Sequence, residues 1–81
     1  MEFAQYIQLN PEIRFGKPTI KGTRIAISDI LQWLASVMIN DEILEDYPQL
    51  KLEHIHAALA FAANREQMIK MVAVRNEIVT H

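Results

Sequence analysis

A mainly α-helical domain with an N-terminal β-hairpin or arm is what this 81-residue chain predicts. Three observations lead there. Both glycines lie in one stretch, Gly16 to Gly22, and none follows it. Beyond Ser28 the apolar residues recur at helical rather than alternating spacing. The periodic segments are short, with brief turns between them, and the second is shorter than the third. That succession suits a helix-turn-helix, although any small helical bundle would fit the pattern as well.

Phe3 to Leu9 alternates loosely and reads as a short strand or an ordered arm. Asn10-Pro11-Glu12 is a turn signal. In the glycine stretch, Gly16 and Gly22 can take positive φ at no steric cost, so they mark turns. Pro18 has no N–H for a ladder and belongs at a strand start or edge. Thr19-Ile20 and Thr23 to Ile27 favour β, so two extended pieces are expected to meet across a turn at Lys21-Gly22. A helix should start at Ser28, a good N-cap, with Asp29 matching the dipole of its first turn. Ile30, Leu31, Leu34, Val37 and Met38 form its apolar face, and Trp33 lies off that stripe. Asn40 is expected to cap a second helix carrying Ile43, Leu44 and Tyr47 on one side, and Pro48 ends it. A third helix spans Lys51 to Ala63, with Leu52, Ile55, Leu59 and Ala62 as its core stripe, and Asn64 as its end. The tail from Arg65 to His81 is expected to be partly helical, with Met71 to Val74 also readable as strand. The expected organisation is a domain over 1–63 and a tail over 64–81 that meets a partner or a second copy.

A chain of this length makes one small domain, and such cores often depend on a partner or on dimerisation. Its 51% apolar content points the same way. No cysteine is present, which suits a cytoplasmic protein. No apolar run approaches the ~20 residues of a membrane span, and the N-terminus does not read as a secretory signal. The net charge of −2 is unevenly placed. Arg14, Lys17, Lys21 and Arg24 outweigh Glu2 and Glu12 in the first third, whereas residues 28–48 carry Asp29, Asp41, Glu42, Glu45 and Asp46 and no cation. A strong nucleic-acid binder shows a clear basic excess. Any DNA affinity here should therefore be modest, or come from a dimer or larger complex.

The segments GKPTIKGTRIAI, ILQWLA, DEILEDYPQL and AALAFA together closely resemble the domain-of-unknown-function 433 family, from about Ile7 to Ala63. That family comprises small bacterial proteins, many proposed as antitoxins of PIN-like nuclease toxins. The resemblance implies a homeodomain-like three-helix helix-turn-helix behind the N-terminal hairpin. It also implies an antitoxin that neutralises a PIN-like ribonuclease and represses its own operon by binding operator DNA as a dimer. Relatives usually have glycine near position 37, where Val37 stands here, and begin the third helix with a capping box, where Lys51 and His54 stand here. The alternatives are a stand-alone helix-turn-helix regulator and a module that binds protein only.

Each candidate site has a plainer reading beside it. The glycine–lysine stretch is not a phosphate loop: five residues separate the glycines and Thr23, not lysine, follows Gly22. Asp41, Glu42, Glu45 and Asp46 could hold a metal, but a solvated, dipole-matched helix explains them. His54 and His56 lie two apart, whereas zinc ligands on a helix sit at i and i+4. No nucleophile–base set appears, so no enzyme, metal or cofactor is expected. Lys17, Lys21 and Arg24 form a basic stripe that is either solvated or in contact with phosphates, and Arg24 could instead bond the acidic second helix. In the family reading Lys51, His54 and His56 would face the major groove, a weak base-reading set. Trp33 is either a packed flank against the hairpin or a partner anchor. Arg65, Lys70 and Arg75 are either solvated or cations for an acidic nuclease pocket, whose carboxylates a tail arginine would bond bidentately.

Overall fold

The computed structural model describes residues 3–65, 70 and 72–74. A 3-10 turn over Phe3–Tyr6 leads into strand β1, Ile7–Gln8. A second 3-10 turn, Arg14–Gly16, precedes strand β2, Thr19–Ile20. Helices α1 (Ile27–Ala35), α2 (Asn40–Asp46) and α3 (Leu52–Ala63) follow. The domain is mainly helical, with a two-stranded antiparallel sheet at its N-terminal side.

The two strands differ from those expected. β2 pairs with the N-terminal arm, Ile7 opposite Ile20 and Gln8 opposite Thr19. The turn at Lys21-Gly22 does form, with the Thr23 N–H donating to the Ile20 carbonyl at 3.0 Å and Gly22 at φ +85°. Its returning arm makes a single bridge, Thr19 with Ala26, before α1 begins. Pairing with β1 puts Ile7 and Ile20 wholly in the core. That burial is the reason the distant arm is the principal strand partner. The Thr19 hydroxyl is buried there with no hydrogen-bond partner among the described residues.

Helices α1 and α2 begin two residues and one residue before the starts their polar caps predict, whereas α3 lies within the expected Lys51 to Ala63. The N-cap positions hold Ala26, Ile39 and Lys51, none with a side-chain cap bond. Three residues on, a side chain reaches back in each case. Asp29 Oδ2 accepts from the Ala26 N–H at 3.0 Å, Glu42 Oε1 from Ile39 at 2.9 Å and His54 Nδ1 from Lys51 at 2.8 Å. Each helix thus keeps the reciprocal half of a capping box and omits the Ser/Thr half. Ser28 and Asn40 are inside their helices rather than caps.

The helix ends follow simple rules. α2 stops before Pro48, with Tyr47 at φ −128°, and Asn64 closes α3. α1 ends in a Schellman motif: the Met38 N–H donates to the Trp33 carbonyl and Val37 to Leu34. Its left-handed position, usually glycine, is Val37 at φ +66°. Val37 therefore leaves the predicted apolar face and stands 87% exposed.

The core gathers Ala4, Ile7 and Ile20 with Ile27 and Ile30 of α1, Ile43 of α2, and Ile55, Ala58 and Phe61 of α3. α3 packs against α1, α2 and the Phe3–Tyr6 turn. Its phase differs from the predicted stripe. Ile55, Ala57, Ala58 and Phe61 face inward, while Leu52 and Leu59 are 43% and 45% exposed. Val72 is also buried in this core, and Val72–Val74 are helical rather than strand.

Candidate functional site

The loop before β2 carries the most unusual backbone among the described residues. Arg14, Phe15 and Gly16 are consecutively left-handed, at φ +53°, +59° and +83°. Such a conformation costs an L-residue roughly 1–2 kcal/mol. It is held by the Arg14 side chain, whose Nη1 donates to the Arg24 carbonyl and to Asp29 Oδ2, both at 2.9 Å. The same carboxylate oxygen accepts the Ala26 N–H. Burial raises the Asp29 pKa, but the Arg14 bond, the Ala26 bond and the charges of Arg14 and Lys17 together hold it below the usual carboxylate value. One side chain thus starts α1 and locks the loop. The product is Phe15, 99% exposed at the loop's tip. Nothing in the sequence marked Phe15, because its neighbours read as an ordinary approach to glycine.

The basic stripe is divided. Lys17 lies on a groove of about 400 Å³ together with Pro18, Ile27, Ser28, Leu31, Phe61, Ala62 and Arg65. The fold thus brings Lys17 beside Arg65, whose guanidinium carbon sits 5.8 Å from the Phe61 ring centroid. Arg24 borders a shallower hollow with Gln8, Ile13, Thr23 and Gln49, and Lys21 is exposed on the turn. Arg24 forms no ion pair with the acidic second helix among the described residues; the ion pair found among them joins Arg14 to Asp29 of α1.

Lys51, the N-cap of α3, and His56 within it are exposed, beside Leu52 and Leu59. His54 is half-buried, edge-on to Tyr6 with ring centroids 5.5 Å apart, and His56 meets Phe3 in the same manner at 6.4 Å. The outward face of this helix is therefore mainly Leu, His and Leu, a surface better matched to a protein than to base edges. Trp33 stacks on Tyr47, ring centroids 4.1 Å apart, so it packs on the end of α2. Lys70 is exposed. Arg75 lies outside the described residues. Among the described residues no three His, Asp or Glu side chains gather as a metal site requires. No helix there is long and apolar enough to cross a membrane.

His54 makes one element of stability pH-dependent. Its Nδ1 can accept from Lys51 only while unprotonated. Burial, opposed by Glu53 and assisted by Lys51, keeps its pKa below the ordinary 6.5. The contribution is complete above pH 6.5 and declines as the pH falls from there through the lower folded-state value, because the unfolded chain takes up the proton first. His54→Gln keeps a side-chain acceptor at this position without a titration. Loss of the edge-on contact with Tyr6 should cost about 1 kcal/mol at pH 7, and the decline should flatten in a urea series repeated across pH. An unchanged decline would show that the cap does not titrate.

The family model described as "Protein of unknown function (DUF433)" matches residues 7–62. The chain is similar in structure to a DUF433 member protein from Anabaena variabilis ATCC 29413, with a TM-score of 0.68 and 29% identity. That likeness covers 84% of this chain and 68% of the other. No curated protein matches the chain.

Proposed function

The chain belongs to the DUF433 family, and from that premise we propose that it is the protein-binding antitoxin of a two-protein pair, holding a PIN-like ribonuclease inactive. The observation that carries this reading is Phe15: a fully exposed aromatic on a strained loop that Arg14 and Asp29 lock in place. Strain of that kind persists where the surroundings over-determine it, and it clusters at functional positions. A preformed aromatic anchor suits a partner pocket, since less ordering remains to be done on binding. The outward Leu52 and Leu59 of α3 extend the same apolar character. Lys70 and Arg75 supply cations for the carboxylates of a nuclease site.

In this reading the pair, with two copies of the chain, represses its own operon. Lys21, Arg24 and Lys51 position it on phosphates, and two half-sites add their weak affinities. A stand-alone regulator is favoured instead by the α2–α3 helix-turn-helix itself. It predicts that the protein alone binds DNA with steep salt dependence.

The test is capture of partners from the native cells with the tagged chain. A small metal-dependent ribonuclease should be recovered in stoichiometric amount, lose its activity when the purified chain is added back, and fall at least tenfold in recovery with Phe15→Ala. Recovery of the chain by itself overturns the reading.

A further inference from the structure

We propose that two copies of this chain associate through α1, antiparallel about a two-fold axis, each seating the segment from Val37 to Glu45 of the other on its Lys17–Arg65 groove. This rests on the reading above and deepens it by naming the surface between copies.

The groove and its occupant are both on the chain. The groove's floor is apolar, formed by Pro18, Ile27, Leu31 and Phe61, and its rim carries Lys17 and Arg65. Neither cation forms an ion pair among the described residues. The complementary segment begins with Val37 and Ile39, both exposed, and continues into Asp41 and Glu45, exposed one turn apart on α2. Neither of those carboxylates is in an ion pair among the described residues either. Val37 holds a left-handed backbone that a β-branched residue adopts only under strain, and its side chain packs on nothing that hides it.

α1 sets the orientation. Ser28 and Leu31 line the groove at its N-terminal end, and Val37 lies just past its C-terminal end. Along the helix between them, Ser28, Gln32 and Ala35 are exposed on the side that also carries Leu31. Two small residues on that side permit close approach. A nine-residue helix is about 14 Å long. Antiparallel pairing of two such helices places each acidic segment at the other's cation-lined groove, and the two-fold axis forms the contact twice. Parallel pairing would set groove against groove and cation against cation. The unlike-charge arrangement is therefore the one the surface favours.

Sedimentation equilibrium of the full chain tests this. The wild type should run at about twice its 9.3 kDa mass and dissociate more readily as salt is raised. Lys17→Glu with Arg65→Glu should produce monomers, as should Asp41→Lys with Glu45→Lys, each with an unchanged far-ultraviolet spectrum. An equimolar mixture of the two should restore a dimer, because the reversed groove then meets the reversed segment and the native groove meets the native segment. Val37→Gly should weaken association at least tenfold while leaving the chain folded. A monomeric wild type, dimers that survive both charge reversals, or a mixture that stays monomeric would each overturn the proposal. The first of these would leave the groove to a different protein. Phe15 is unaltered in every variant, so nuclease capture can fail or succeed independently of this result.

Discussion

Asp29→Ala is expected to destabilise the domain by about 2 kcal/mol. One carboxylate oxygen serves two donors, the Ala26 N–H and Arg14 Nη1. Loss of a helix-start acceptor costs about 1 kcal/mol. The bond to Arg14 is charge-assisted but only partly buried, with the two side chains 32% and 28% exposed, so about another 1 kcal/mol is the appropriate scale. The loop then loses one of the two bonds that hold Arg14 and Phe15 at positive φ. Urea unfolding followed by the fluorescence of Trp33, stacked on Tyr47, reads the change directly. A loss under about 0.5 kcal/mol, the range of ordinary surface substitutions, would mean that Asp29 does not organise the loop. Asp29→Asn adds a pH test. The carboxyl is held below 3.8 in the folded state. Its contribution is therefore complete above that pH and is lost as the pH falls from 3.8 through the lower folded value. The asparagine variant should lack that part of the acid transition.

Val37→Gly is expected to do the opposite, raising the stability of the single copy by about 1 kcal/mol. Val37 is the left-handed residue of a complete Schellman motif. Glycine there relieves roughly 1–2 kcal/mol of backbone strain, offset by roughly 0.5–1 kcal/mol for the greater freedom of an unfolded glycine. The measurement belongs in dilute solution, where association between copies does not contribute. A destabilised variant would show that the turn is not strained as described. If glycine strengthens the fold but weakens the dimer, the valine is kept for its exposed side chain. That pairing of effects is what a purely structural position would not produce.

Local chemistry made much of this protein legible from its residues alone. The order of elements, the turn at Lys21-Gly22, the end of α2 at Pro48 and the end of α3 at Asn64 all follow from φ restrictions and periodicity that act within a few residues. The family was legible in the glycine stretch and the acidic helix that follows it. Tertiary structure decided what depends on partners distant in the chain. α3 is apolar on nearly every side, so its periodicity could not choose between Leu59 and Phe61 as the buried residue. Contact with α1 and with the Phe3–Tyr6 turn chose. β2 could pair with either flank, and the burial of Ile7 against Ile20 selected the N-terminal arm. The starts of α1 and α2 moved because Asp29 and Glu42, three residues past the N-cap, satisfy the N-cap N–H without a polar side chain at the cap itself. The exposure of Phe15 and the meeting of Lys17 with Arg65 have no local signal at all. The first depends on Arg14 reaching Asp29 across the hairpin, and the second on the end of α3 folding back beside the start of α1.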